Sequence, residues 1–413
     1  MRRSLQTLIS LFALVMEPLC FAGADTSCEL PRSTLDAEGM DAEPFVRLTK
    51  WLREHDRFPV FSILVSRRGK LVYELYTSGI DPEAAHYLMS VTKSVVSALV
   101  GVAIDRKLIR GADAPVSELL PRALFASEAD RLRFSKVTLK DVLGMAAIDA
   151  PDPPRHTDPE ALALQRRFFQ APDRVAFVLT RPVLAEPFQY NDETPMLASG
   201  VLRQATGKDV FSFAEEALFG PLGFRNEEWM HRDASGNENG GYGLRLRPVD
   251  LQKLGILYLQ KGRWNGRQLI SREWIERSFT PWNRSRTELK TPDYGWYWWA
   301  EDYGEHWKAH VAKGWKGQRI AVIPEQEIVV TMTACFEDGS EEPFFQALLR
   351  STIIPSVQKG AVSSKDDELS RLIDEVHRGP LRFGEFIEYR MVPSVAPKSI
   401  RKPVVENKLD QRD

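Results

Sequence analysis

Ser90 and Lys93 stand three residues apart, immediately before the apolar run Ser94–Ile104. On a helix, residues at i and i+3 share a face, so the lysine amine can reach the serine hydroxyl. A neutral or desolvated lysine can take the serine proton and turn a weak nucleophile into a strong one. The Ser-x-x-Lys pattern occurs at Ser90/Lys93, Ser356/Lys359 and Ser399/Lys402. The Ser399 copy lies among Pro397, Lys398, Arg401 and Pro403, as in an exposed tail, and the Ser356 copy runs from Pro355 into Gly360, as at a fraying helix end. Only Ser90 opens a long apolar helix able to hold both side chains rigid. The competing reading is a helix-start serine beside a solvated lysine.

Two further stretches offer partners. Pro187–Thr194 reads as a loop entering the apolar helix Met196–Leu202. Its Tyr190 could shuttle a proton, because a neighbouring lysine charge lowers a phenol pKa. Asp192 could orient Lys93 or the substrate. The plainer roles are a core aromatic for Tyr190 and a helix N-cap for Asp192. In Lys313–Pro324, Gly314 and Gly317 permit close backbone approach at a strand edge. An amide from the Gly314–Gln318 segment, with the Ser90 amide, could form an oxyanion hole. The alternative there is a bulge with exposed lysines.

The elements that must position these groups follow from periodicity. Ala42–Arg53 has helical spacing, and Phe61–Val65 and Lys70–Tyr76 form a hairpin turning at Arg68-Gly69. Residues 107–290 are mostly helical, including Leu139–Met145, Ala161–Gln170, Arg174–Leu179, Pro195–Ala205, Val210–Leu218 and Leu251–Gln260. Strands return at Tyr294–Trp299, Trp307–Lys313, Gln318–Ile323 and Ile328–Cys335, and Pro343–Ser356 closes as a helix. The expected fold is α+β: a mainly antiparallel sheet formed by both chain ends, flanking helices, and an inserted helical lobe at about 107–290. The site then lies in the cleft between sheet and lobe. Trp296, Trp298, Trp299 and Trp315 are candidates for cleft wall, with sheet core as the alternative.

The 413 residues are 43% apolar and 27% charged with net charge -2, which fits a soluble globular protein and gives no global field favouring nucleic acid. Residues 1–24 read as a cleaved signal peptide: Arg2-Arg3, a short apolar stretch from Leu5 to Met16, and Ala22-Gly23-Ala24. Export to the periplasm or medium is expected, without a stable membrane span. Cys28 and Cys335 could pair or stay as thiols. No cluster suggests a metal, and His306 and His310 fall on a strand-like stretch. No cofactor is required, and the expected partner is a small-molecule ester or amide. Residues 25–360 form the predicted catalytic domain, and 361–413 a charged C-terminal extension. An α/β-hydrolase is disfavoured by the lack of Gly-x-Ser-x-Gly.

Five landmarks in order join these stretches: Ser90–Lys93, Val137–Met145, Tyr190-Asn191-Asp192, Gly240–Leu251 with Gly262–Gly266, and Gly314–Pro324. From about residue 44 to 358 the chain resembles the beta-lactamase-related serine hydrolases. These include class C beta-lactamases, DD-peptidases, family VIII esterases and 6-aminohexanoate-dimer hydrolases. The Tyr-Asn-Asp and Gly-Leu-Arg-Leu-Arg-Pro sequences lean to the last branch. The resemblance implies a beta-lactamase/transpeptidase-like fold and acyl transfer through Ser90, with Lys93 and Tyr190 managing the proton. Which of the two is the base stays open. Asp192 stands at the family's usual asparagine, and the cation of the Lys/His-x-Gly region is expected from Lys313 or His310. Gly314, Gly317 and Gln318 are the supporting strand residues. The alternative function is a penicillin-binding-like cell-wall ligand sensor or scaffold with little turnover.

Overall fold

The computed structural model describes residues 29–55, 58–150, 159–185, 187–281, 293–357 and 364–379. The proposed signal peptide, Cys28, and the Ser399/Lys402 pair lie outside the described residues.

Helix α1 (Glu43–Glu54) leads into β1 (Val60–Arg67) and β2 (Lys70–Tyr76). Their turn is made by Arg68 and Gly69, both at positive φ, as a tight twisted hairpin requires. The short strand β3 (His86–Tyr87) precedes α2 (Val91–Asp105). The helical lobe follows, and within it α3 (Pro195–Thr206) carries the second chemical loop at its start. Next come β4 (Glu228–Trp229), β5 (Leu244–Leu246) and α4 (Pro248–Leu259). The chain closes with β6 (Trp299–Asp302), β7 (Lys308–Gly314), β8 (Gln318–Ile323), β9 (Ile328–Ala334), α5 (Glu341–Leu348) and α6 (Asp366–His377).

Among the described residues the main sheet has the order β2-β1-β9-β8-β7-β6, with antiparallel neighbours throughout. The β1–β9 pairing, with Ile63 opposite Met332, joins the two chain ends as the sequence implied. Side chains alternate between two cores. Leu64, Ala312, Ile320, Val322 and Val329 face α2 and α4, whereas Ile63, Val311, Ala321 and Val330 face α1, α5 and α6. Residues Val91 through Ala103 of α2 are all buried, so this helix runs through the interior instead of along the surface. Burial of each large side chain contributes about 1.5–3 kcal/mol, which anchors the helix that carries Ser90 and Lys93.

Three elements differ from the sequence reading. Of Tyr294–Trp299 only Trp299 enters β6. Tyr297 is left-handed, and Tyr294, Trp296, Tyr297 and Trp298 are buried whatever their parity. This aromatic run forms a knot beneath α2, with the Tyr297 carbonyl accepting from Ser94 Oγ (2.7 Å), so period-two alternation does not apply. A second sheet of order β3-β5-β4 has strands too short to leave a periodic signal. The stretch read as a charged extension contains α6, whose Leu369, Leu372 and Val376 join the outer core. No described helix is long and apolar enough to cross a membrane.

Candidate active site

Ser90 sits at the N-cap of α2, where a serine ordinarily turns its oxygen onto the helix's own amides. It makes no such cap; its Oγ instead lies 2.7 Å from Lys93 Nζ. The preceding Met89 is held at φ +49°, a strained conformation for a residue with a side chain. The amides of Val91 and Thr92 are taken up by the carbonyls of Leu88 and Met89. Among the described residues the Ser90 amide has no backbone acceptor and lies at the positive end of the helix. The competing Ser356 is used structurally, donating to the Ile353 carbonyl at 2.7 Å.

Lys93 is only 1% exposed and donates to three oxygens: Ser90 Oγ (2.7 Å), Asp192 Oδ1 (2.6 Å) and the Gly241 carbonyl (2.8 Å). Burial disfavours its charge, but Asp192 and Tyr190 outweigh burial and raise its pKa above the ordinary lysine value. The resting group is therefore an ammonium. Burial pushes the Tyr190 phenol up, and the Lys93 charge offsets this only in part. Tyr190 lies in hydrogen-bonding reach of both Ser90 and Lys93, and Lys93 Nζ is 5.0 Å from its ring centre. The ring is set by Trp299 at 5.5 Å and, edge-on, by Tyr294 at 6.0 Å. Of the four tryptophans considered for the cleft wall, Trp299 is the one that touches Tyr190; Trp296 and Trp298 are core.

The loop of Tyr190 and Asp192 is built by its neighbours. The Met145 carbonyl accepts from the Gln189 amide at 2.8 Å, which gives the Val137–Met145 landmark a positioning role. Asn191 is fully buried, and its Oδ1 accepts from the amides of Glu193 (3.1 Å) and Thr194 (2.7 Å). These bonds make an Asx turn ahead of α3, whose own N-cap, Thr194, has no side-chain cap, and Asp192 does not cap the helix but reaches Lys93.

Gly241 was seen in the sequence only as part of a signature. Its carbonyl holds Lys93, and a Cβ on Gly241 would stand 2.8 Å from the Asp192 carbonyl oxygen. Thr92 Oγ1 ties this segment to α2, accepting from the Gly243 and Leu244 amides at 3.2 Å each. The available signal was the spacing of Gly240, Gly241 and Gly243, which marks close backbone approach.

The third stretch divides by strand face. Gly314 lies against the Leu88 carbonyl, two residues before Ser90, so the end of β7 abuts the serine. Pairing with β6 stops at Val311, and beyond it the edge of Ala312–Gly314 has no strand partner among the described residues. Gln318 is fully buried on the same face and braces the turn through the Ala334 carbonyl (2.6 Å), and Gly317 takes φ +102° against Ala334 and Phe336. Lys313 points the other way, pairing with Glu301 and with Glu342 (3.1 Å), on the face where its cross-strand neighbour Arg319 also meets Glu342. His310 is on the α2 face but stacks on Phe279 at 3.9 Å, and burial lowers its pKa to about 4. Neither expected cation is therefore turned to Ser90. Counting two residues back from Gly314, the Lys/His position of the family pattern holds Ala312, a core residue. Alternation along β7 is the cause: register, invisible in the composition of the stretch, decides which residue faces the cleft.

Among the described residues no cluster of His, Cys, Asp and Glu is arranged for a metal. The serine, buried ammonium and phenol together can move a proton and form an acyl bond.

A mixed fold with an antiparallel sheet, an inserted helical lobe and a helix-start serine is the beta-lactamase/transpeptidase architecture. The beta-lactamase family model matches residues 45–345, and the chain belongs to that family. It is 26% identical over 220 residues to the 6-aminohexanoate-dimer hydrolase of Paenarthrobacter ureafaciens, a match spanning 52% of this chain and 56% of that relative. Its fold is similar to a Bacillus anthracis protein provisionally assigned as a 6-aminohexanoate-dimer hydrolase (TM-score 0.63, 17% identity, 80% of this chain and 89% of the other). It is also similar to a mutant of the Aspergillus terreus simvastatin synthase (TM-score 0.61, 18% identity, 77% and 100%).

Proposed function

We propose that the protein hydrolyses an ester or amide through an acyl-enzyme on Ser90. The observation that carries this reading is the contact of Ser90 Oγ with Lys93 Nζ at 2.7 Å, made in place of a helix cap. Once the Lys93–Tyr190 pair has released one proton to solvent, Ser90 Oγ bonds to the substrate carbonyl carbon as its own proton passes to that pair. The two groups interact strongly, so the proton belongs to the pair. The tetrahedral oxyanion is held by the Ser90 amide and the free edge of β7. Its collapse breaks the bond to the leaving amine or alcohol, which takes the proton from Tyr190. Water then repeats the sequence on the acyl-enzyme and releases the acid. Asp192 keeps Lys93 charged and in place. Residues 1–24 support an exported location, testable by sequencing the mature N-terminus from a periplasmic fraction.

The test compares wild type with Ser90→Ala and Tyr190→Phe on short-chain nitrophenyl esters and on a fluorescent penicillin. Steady ester turnover that disappears in Ser90→Ala supports the hydrolase. Labelling without turnover supports a ligand sensor instead. Turnover surviving Ser90→Ala would end the mechanism.

A further inference from the structure

Asp192 reaches Lys93 through one carboxylate oxygen at 2.6 Å, and that contact depends on how its loop is held. On the entering side Gln189 grips residues 145–150. Its amide donates to the Met145 carbonyl (2.8 Å), its Oε1 accepts from the Ala150 amide (2.9 Å), and its Nε2 donates to Asp149 Oδ1 (3.1 Å). On the leaving side Glu193, the residue after Asp192, turns its carboxylate inward onto Arg181 at 3.0 Å, with the two side chains 4% and 11% exposed. Arg181 follows the helix Arg174–Leu179 and leads into residues 182–184, which lie along 147–149. There the Pro182 carbonyl accepts from the Asp149 amide (2.9 Å), Val183 bridges Ile148, and the Leu184 amide donates to the Ala147 carbonyl (3.2 Å). The stretch 145–150 therefore fixes both Gln189 and the backbone beside Arg181, and Tyr190–Asp192 is slung between the two anchors.

The Arg181–Glu193 pair is a poor stabiliser. Taking two charges out of water costs more than their attraction returns unless the geometry is close to ideal. Here Arg181 Nε and Glu193 Oε2 are buried and in contact, yet neither completes an aligned hydrogen bond. Burial pushes the Glu193 carboxyl up to about 7 from 4.5, and Arg181 offsets that only in part. The charged groups acting on Glu193 are Arg181 and Asp192. The folded protein thus holds an ionised Glu193 at a cost that is full above about pH 7 and fades as pH falls toward 4.5. A pair that weakens the fold at neutral pH is explained by what it orients.

We propose that the buried Arg181–Glu193 pair aims Asp192 at Lys93, the two acting as positioning residues for the reactive lysine. With the pair broken, Glu193 leaves the interior, the peptide it shares with Asp192 turns, and Oδ1 moves off Lys93. The effect on the lysine passes through Asp192. This rests on the acyl-enzyme reading above and adds to it two residues outside all five sequence landmarks.

The experiment follows kcat/KM against pH on a nitrophenyl ester for the full protein, Arg181→Met, Glu193→Met, Arg181→Lys, Asp192→Asn, and Arg181→Met combined with Asp192→Asn. Asp192 helps to hold the Lys93 pKa up, so displacing it moves the alkaline limb to lower pH. Both methionine variants are expected to show that shift and to lower kcat by about tenfold or more with little change in KM, the mark of a misplaced reacting group. Arg181→Lys keeps the charge and is expected to restore part of the limb position; should the methionine variants not fold, it carries the test on the same limb. In the Asp192→Asn background Arg181→Met is expected to move the limb no further, because the carboxylate it would displace is gone. A thermal melt and fluorophosphonate labelling of Ser90 confirm a folded site, and a loss of stability alone leaves the limb in place. An unmoved limb in a folded variant, or an equal further shift in the combined variant, would overturn the proposal while leaving the hydrolase reading intact. Turnover independent of Ser90 would instead overturn the hydrolase.

Discussion

Two lysines of this protein each bind acidic partners, and they serve different ends. Lys93 is buried at the start of α2, and its acceptors are a serine hydroxyl, one carboxylate oxygen and a backbone carbonyl. Lys313 lies on the far face of β7, 24% exposed, between the carboxylates of Glu301 and Glu342. Both stand in motif-like sequence, Ser-x-x-Lys and Lys-Gly-x-Lys-Gly. The difference is made by what the backbone turns toward each amine. A helix start brings Lys93 to a hydroxyl with no other task, whereas one residue of strand alternation carries Lys313 out of the cleft.

The contrast can be broken by substitution. Lys93→Met is expected to lower kcat/KM by about 10²–10⁴-fold, the usual scale for a proton-transfer group. Ester turnover and a thermal melt together separate this from unfolding. Next in size is Gly241→Ala. Its Cβ would stand 2.8 Å from the Asp192 carbonyl, so the backbone holding Lys93 must shift. A loss of about 1–3 kcal/mol in urea unfolding is expected, with reduced turnover.

Asp192→Asn sharpens the electrostatics. Burial is the largest single influence on Lys93, and the carboxylate outweighs it only together with Tyr190, so removing the carboxylate moves the Lys93 pKa down. The Lys93–Tyr190 pair then loses a proton more readily, and the rising alkaline limb of the kcat/KM profile is expected to move to lower pH. An unmoved limb would show that Asp192 does not control the pair.

Away from the serine, burial lowers His310 to about 4 from an unfolded value near 6.5. Its contribution to stability is full above about pH 6.5 and is lost as pH falls toward 4. His310→Phe keeps the stack on Phe279 and is expected to flatten the decline of the urea midpoint between pH 7 and 5. The smallest effect belongs to Lys313→Met: a partly exposed ion pair contributes about 0–1 kcal/mol, and turnover is expected within about twofold of wild type. A large loss of activity there would place Lys313 in the cleft after all.

The sequence carried the sheet built from both ends, because β1, β2, β8 and β9 are each short, mostly apolar runs rich in valine, isoleucine and leucine. It also pointed to Ser90, Lys93, Tyr190 and Asp192, which the fold brings together from segments about a hundred residues apart. Gly241 was harder, since it acts through a carbonyl that every residue possesses. The β3-β5-β4 sheet has strands of two or three residues, too short for periodicity to show. Ala312 could not be recognised without the register of β7 against β8. The outer helix α6 was hidden by its acidic face, although Leu369, Leu372 and Val376 keep helical spacing.

The most direct measurement is the site of covalent modification. The protein is treated with a fluorophosphonate, digested, and the adduct located by mass spectrometry. The expected result is a single stoichiometric adduct on Ser90, lost in Ser90→Ala and slowed in Lys93→Met. An adduct on another residue, or equal labelling of Ser90→Ala, would contradict Ser90 as the nucleophile.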